Sequence, residues 1–142
     1  MCSDSRMTSY HAMVNSRKIE QIGGSLWGGA GDAEAIEQFF DWVRAGKKKA
    51  GIHGWEKEDR PDVEILELGH SGIRLWSSRL VAIPTDAQCW AIGSGGMAAM
   101  GAMLAGATPQ DAVEIAKQCD EYSGGPVQTL KLTVAKKCLT RK

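Results

Sequence analysis

The chain has 142 residues, and 17 Lys and Arg balance 17 Asp and Glu, so its formal net charge is zero. This balance excludes the strongly basic surface of a typical nucleic-acid-binding protein. A composition that is 43% hydrophobic and 24% charged excludes a disordered chain and fits one globular domain over residues 1–142. The lysines and arginine of residues 135–142 form a basic tail at its end.

Several other classes of protein are also disfavoured. No apolar run reaches the roughly 18 residues of a membrane-spanning helix, and the polar first residues do not resemble a signal peptide. The four cysteines lie far apart, and the three histidines lack ligand spacing. We therefore expect a cytoplasmic protein with reduced thiols, with no metal or cofactor, and with neither a nucleic acid nor a membrane as its partner.

The first half of the chain predicts two strands and a helix. Residues 17–22 alternate in polarity and are followed by a Gly-Gly turn and a second strand over 25–29. Asp32 is typical of a helix N-cap, and the apolar residues that follow it predict an amphipathic helix ending near residue 45. Residues 46–61 predict a solvated loop whose lysine run, 47–49, provides surface charge.

The middle of the chain predicts more strands. Residues 62–68 and 73–76 form a hairpin pattern around the turn 69–72. Short strands are expected over 80–83 and 89–92.

Two helices and a final strand follow. The glycines of 93–96 open a helix that is apolar nearly all round, which predicts that it is covered on both sides. Thr108 then caps a second helix, with Pro109 at its first position. Its predicted inner stripe consists of Ala112, Ile115, Ala116 and Cys119. A last strand over 127–134 completes a pattern that predicts an α+β fold with helices covering a mostly antiparallel sheet.

Two glycine segments each allow two interpretations. Residues 93–98 fit the pattern G-x-G-x-x-A of a nucleotide-binding loop, but a second helix follows where a strand ending in an acid is expected. The alternative is a close packing turn. Residues 28–32 could present backbone N–H groups to an anion or oxyanion, or could simply form a tight turn.

Five short motifs in a fixed order carry a family resemblance. They are Asp4-Ser5-Arg6, Arg17-Lys18-Ile19, Gly28-Gly29-Ala30-Gly31-Asp32, Ala91-Ile92-Gly93-Ser94-Gly95 and Asp120-x-x-Ser123-Gly124-Gly125. Together they resemble the proteasome β-subunit and HslV peptidases, which are N-terminal nucleophile (Ntn) hydrolases, and most closely the short proteasome-like proteins of bacteria and phages. The resemblance runs from Asp4 to about residue 132. It implies an α+β four-layer αββα sandwich.

The resemblance also implies catalytic roles. The family uses an N-terminal threonine as nucleophile and the α-amine of that threonine as general base. Asp4 and Lys18 match the acid–lysine pair that polarises the threonine hydroxyl. Ser94 matches the serine near the α-amine, and Asp120 with Ser123 matches the pair that orients the amine and its water.

The oxyanion donor and the nucleophile are less well defined. Gly31 is the best match for the oxyanion N–H group, and Gly28 is the alternative. The family's first strand, which begins with the threonine, has no counterpart before Asp4, so we expect an N-terminally truncated version of the fold that lacks the nucleophile. Cys2 lies on the family's second strand, where it has no geometry for attack.

Three functions therefore stay open. The first is a threonine-type endopeptidase subunit that hydrolyses peptide bonds of unfolded proteins, with polypeptide substrates, a homo-oligomeric ring and an ATP-dependent unfoldase partner implied by the family. The second is a non-catalytic, ring-forming homologue. The third is a nucleotide-binding protein that uses the loop 93–98.

Overall fold

The computed structural model describes residues 1–8, 12–48, 50–55 and 60–133. These residues form nine strands and three helices. In chain order they are β1 (Cys2–Ser3), β2 (Arg6–Thr8), β3 (Met13–Asn15), β4 (Ile19–Ile22), β5 (Ser25–Gly31), α1 (Ala33–Arg44), β6 (Val63–Gly69), β7 (Gly72–Trp76), β8 (Ala82–Thr85), α2 (Gly96–Leu104), α3 (Pro109–Cys119) and β9 (Gln128–Thr129).

The largest element is a five-stranded antiparallel sheet in the order β4-β5-β6-β7-β8. Each strand pairs with the next along the chain because short turns connect most of them. Gly23 and Gly72 adopt positive φ angles of +59° and +107° at two of these turns, a conformation that glycine adopts without steric cost. The predicted hairpin around 69–72 is therefore confirmed.

Helix α1 covers one face of this sheet. The Asp32 carboxylate accepts a hydrogen bond of 2.8 Å from the backbone N–H of Ala35, which confirms the predicted N-cap. Phe39, which is fully buried, lies 5.9 Å from Trp27 and 5.7 Å from Trp76 between ring centroids. Aromatic packing between α1 and the sheet thus forms the main core of the protein.

Two adjacent glycines of β5 show what lies on each face of the sheet. A Cβ atom on Gly29 would lie 2.6 Å from Ile36 of α1, whereas one on Gly28 would lie 3.2 Å from the Met1 sulfur. Met1 precedes β1, which pairs with β9 and packs against α3. The layers therefore follow the order α1, five-stranded sheet, smaller strand pairs, and α2 with α3, which confirms the predicted αββα arrangement.

Several predicted strand boundaries were wrong. Residues 89–92 form no strand, because none of the strands in the described ranges pairs with them. The strand predicted at 80–83 occupies Ala82–Thr85 instead, because Leu80 adopts a φ of +59° in a turn. The final strand is confined to Gln128–Thr129, and residue 134 and the basic tail 135–142 lie outside the described residues.

The expected coverage of α2 on both sides, by a further layer or by a subunit interface, is not met within the single chain. Its residues Met97 and Leu104 are 87% and 73% exposed. The helix packs through Ala99 against Ala112 and Ala116 of α3, and these small side chains allow a close approach on one side only. In α3 itself Ile115 and Cys119 are exposed, so only the two alanines of its predicted stripe are buried.

No helix in the described part of the chain has the length and apolar character needed to cross a membrane.

We predict that Gly31→Ala destabilises the protein much more than Gly72→Ala. The two glycines have nearly equal φ angles, +105° and +107°, but a Cβ atom on Gly31 would overlap the backbone carbonyl oxygen of Asp62, while the space at Gly72 is open. Backbone strain should cost each variant about 1–3 kcal/mol. Gly31→Ala should lose about 1–3 kcal/mol more, because a backbone clash cannot be relieved by moving a side chain.

The free energies of unfolding in urea provide the measurement. Equal losses in the two variants would contradict the close approach of Gly31 to Asp62.

Candidate active site

A cavity of about 1330 Å³ lies between the five-stranded sheet and the layer that contains β1, α2 and α3. Five of the six predicted catalytic residues line it, and the sixth, Asp120, hydrogen-bonds to two of those five. The five predicted residues that line it are Asp4, Lys18, Gly31, Ser94 and Ser123. The fold thus brings together side chains that are up to 119 positions apart in the sequence (Asp4 and Ser123).

The first set of polar side chains in this cavity is an ion pair. The Lys18 Nζ atom lies 2.8 Å from Asp4 Oδ1, and the two side chains are 27% and 13% exposed. The other carboxylate oxygen of Asp4 accepts hydrogen bonds from the backbone N–H groups of Gly124, at 2.9 Å, and Arg6, at 3.2 Å. These contacts fix the carboxylate, and the carboxylate in turn fixes the ammonium group on the cavity wall.

The backbone around Lys18 is held as well. Its N–H group donates to the side-chain oxygen of Gln128, at 3.1 Å, and the Gln128 amide nitrogen donates to the Ser16 carbonyl, at 2.7 Å. A fixed ammonium group favours the anionic form of any hydroxyl placed beside it. The pair can therefore assist the deprotonation of a nucleophile.

The second set of polar side chains is a cluster around Asp120, which directly follows α3. One oxygen of its carboxylate accepts hydrogen bonds from the hydroxyls of Ser123, at 2.6 Å, and Ser94, at 2.7 Å. These bonds lower the pKa of Asp120, and the Ser123 hydroxyl makes the largest contribution. A Cβ atom on Gly95 would lie 2.6 Å from the Ser123 hydroxyl, so the absence of a side chain there makes room for the cluster. The cluster can orient an amine or a water molecule.

For the predicted oxyanion donors, the only support is that both glycines lie on the cavity wall. Gly31 and Gly28 both line the cavity. The Gly31 backbone lies close to Asp62, and the Asp32 N–H donates to the Asp62 carbonyl. This close packing of the turn is enough to explain why residue 31 is a glycine. An oxyanion role for Gly31, or for Gly28, stays a prediction.

The glycine loop 93–98 has the features of a packing turn. Its Gly93 N–H donates to the Glu64 carboxylate at 2.7 Å, and a Cβ atom on Gly93 would lie 3.1 Å from Ala30. A phosphate would have to displace this carboxylate. Helix α2 is followed by α3 rather than by the strand that a dinucleotide-binding unit requires. The geometry therefore does not support nucleotide binding.

Two residues of the cavity were missed by sequence reasoning. Glu64 holds the loop that carries Ser94, and Arg6 donates to the Glu121 carbonyl at 2.8 Å, next to Asp120. Both contacts join residues far apart in the chain, so no local pattern reveals them.

Cys2 of β1 lines the same cavity and contacts β9. Its sulfur lies 3.4 Å from the Thr129 hydroxyl, and the Met1 amine donates to the Leu130 carbonyl at 2.7 Å. Met1 and Cys2 are thus hydrogen-bonded to Leu130 and Thr129, at the end of β9. Among the described residues no group of His, Cys, Asp and Glu could hold a metal ion.

We predict that Ser123→Ala raises the pKa of Asp120 and that Ser94→Ala raises it less, because each variant removes a hydroxyl that stabilises the carboxylate. A carboxylate with a lowered pKa stabilises the folded state above its unfolded pKa of about 3.9, and this contribution is lost as the pH falls through the folded pKa. Ser123→Ala should therefore lose less stability on acidification. Carboxyl-carbon NMR titration measures the pKa directly.

The control is Ser71→Ala, which removes a serine that accepts a hydrogen bond from Arg74 far from this cluster. An Asp120 pKa that is the same in all these variants would contradict the hydrogen-bonded cluster.

Comparisons with known proteins identify the fold. No family model and no curated protein matches the sequence. Among solved structures, the BPH of Thiobacillus denitrificans in complex with epoxomicin aligns with a TM-score of 0.72 and 19% identity over 94% of this chain and 92% of that chain. A second structure of the Thiobacillus denitrificans BPH aligns with a TM-score of 0.70 and 18% identity, over 93% of this chain and 91% of that chain.

HslV from Trypanosoma brucei aligns with a TM-score of 0.65 and 19% identity, over 89% of this chain and 88% of that chain. Agreement over about nine-tenths of each chain confirms the fold that the five motifs predicted. The chain therefore has the HslV-like fold of these two proteins.

Proposed function

We propose that this chain is the subunit of a threonine-type peptidase that hydrolyses peptide bonds of unfolded polypeptides. The observation that carries the proposal is the Lys18–Asp4 pair at 2.8 Å on the wall of a large cavity, which Gly28 of β5 also lines without placing a side chain in it. The hydrogen-bonded Asp120 cluster reaches the same cavity through Ser94 and Ser123. In this proposal the Lys18–Asp4 pair activates a hydroxyl group, and the Asp120 cluster orients an amine.

The proposed reaction uses an N-terminal threonine. Its α-amine accepts the hydroxyl proton, and the oxygen attacks the peptide carbonyl to form a tetrahedral intermediate. The protonated amine then gives its proton to the leaving nitrogen, and the new amino terminus departs. Water, activated by the same amine, hydrolyses the remaining ester and releases the acid. Lys18 stabilises the threonine oxygen as its charge develops, and Asp120 with Ser123 orients the amine.

The nucleophile is not part of the printed sequence in this proposal. The first threonine in that sequence is Thr8, on β2 beyond Asp4. The epoxomicin complex of the Thiobacillus denitrificans BPH, which shares this fold, supports a ligand-binding site on such a scaffold.

The proposal extends to assembly. We propose a homo-oligomeric ring in the cytoplasm, served by an ATP-dependent unfoldase that supplies unfolded chains. The exposed apolar residues Met97 and Leu104 of α2 are consistent with a surface that is covered in an assembly.

We predict that the natural protein, purified from its source, gains the mass of one epoxomicin per chain, on an N-terminal threonine. In recombinant protein with the natural N-terminus, Lys18→Met should slow this labelling by about 100-fold or more, because the variant keeps an unbranched side chain of similar length but loses the ammonium group. Intact-mass spectrometry and peptide mapping provide the measurement.

The control variant is Lys117→Met, which removes a lysine that is paired with Glu114 at 2.8 Å on the surface of α3. Its labelling rate should equal that of the unmodified protein. A natural protein that forms a ring but takes up no epoxomicin would contradict the peptidase and favour the non-catalytic ring subunit.

A further inference from the structure

A second pocket lies on the other face of the five-stranded sheet, beside α1. Its volume is about 290 Å³, and it lies between the β4–β5 turn and the end of α1. The Trp27 side chain lines it, whereas Gly28, the next residue, lines the large cavity on the opposite face. Because neighbouring residues of a strand point to opposite faces, this pocket is separate from the candidate active site.

The pocket contains a buried carboxylate. Glu67 of β6 is only 3% exposed, and it accepts hydrogen bonds from the Trp76 ring nitrogen, at 2.8 Å, and the Ser25 hydroxyl, at 2.9 Å. The Arg74 guanidinium lies 3.7 Å from it at the surface. Burying a charged group costs free energy unless it is compensated, so this carboxylate creates a local preference for cations.

A cation from the chain itself occupies the mouth of the pocket. The Lys47 Nζ atom lies 5.1 Å from the ring centroid of Trp27 and 4.9 Å from that of Trp76. Both distances fall within the range of about 6 Å over which an ammonium group is attracted to an aromatic face. Lys47 belongs to the lysine run that the sequence predicted as solvated surface charge, and its side chain is exposed as predicted, although its ammonium group also lies over the two rings.

The backbone adopts an uncommon conformation at Lys47. Its φ angle is +54°, a region that L-residues other than Asn and Asp rarely adopt. Its N–H group donates to the Trp42 carbonyl, and the Trp42 ring nitrogen donates to the Lys48 carbonyl, both at 2.9 Å. The segment after α1 is thus folded back so that the ammonium group reaches the two rings. The other cation at the pocket, Arg44, is paired with Glu20 and Asp41.

We propose that Trp27 and Trp76, in a pocket that the Glu67 carboxylate also lines, form a binding site for a primary ammonium group and that Lys47 is its intramolecular occupant. An external ligand of the same chemistry, such as a lysine side chain of another polypeptide, binds when Lys47 is removed or swings away. This site is independent of the proposed peptidase activity.

Chemical rescue of Lys47→Ala with n-butylammonium tests the proposal. Butylammonium replaces the missing side chain, so at about 100 mM it should raise the Tm of the variant by roughly 3 °C or more. It should leave the unsubstituted protein unchanged, because Lys47 already fills the site. The indole N–H resonances of Trp27 and Trp76 should shift on binding, while that of Trp90, which lines the other cavity, should not.

Three controls make the result specific. Neutral n-butanol should give no comparable rise, and Lys48→Ala, which removes the next lysine, should gain nothing from butylammonium. Lys47→Gly, which also relieves the positive φ angle, should be rescued like Lys47→Ala. The proposal is overturned if butylammonium fails to stabilise either Lys47 variant, if butanol stabilises them equally, or if Trp27 and Trp76 do not respond.

Discussion

The carboxylate of Asp4 connects the parts of the chain on which the candidate active site depends. One of its oxygens holds the Lys18 ammonium, and the other accepts the backbone N–H groups of Arg6 and Gly124. Gly124 directly follows Ser123, so a single side chain links the lysine to the loop that shapes the Asp120 cluster. A loss of this carboxylate would leave an ammonium group and two N–H donors without their shared acceptor, which is more costly than the loss of one ordinary hydrogen bond.

Strand β5 gives the two faces of the sheet different chemistry. Trp27 and Gly29 face α1, the aromatic core and the ammonium site, whereas Gly28 leaves space on the face that carries the large cavity. The alternation of a strand is enough to separate a tightly packed face from an open one over three residues. The same strand therefore supports the fold on one side and the proposed chemistry on the other.

Sequence reasoning succeeded where local signals decide the structure. The Asp32 and Thr108 caps and the turn at 69–72 depend on residues within a few positions of each other, and all three were predicted correctly. It failed where a distant partner decides. Residues 89–92 need a neighbouring strand to form a ladder, and Glu64 reaches Gly93 from 29 positions away. The motif order predicted the HslV-like fold and five of the residues that line the cavity, but the pairing of Lys47 with two tryptophans had no local signature.

In the proposed mechanism, the Lys18 ammonium faces the place where the nucleophile reacts. A crystal structure of the natural protein with epoxomicin tests it most directly. We predict inhibitor density in the large cavity, covalently joined to an N-terminal threonine whose oxygen lies within hydrogen-bond distance of Lys18 Nζ and whose amine lies near Asp120. Inhibitor bound elsewhere, or a threonine remote from Lys18, would contradict the account.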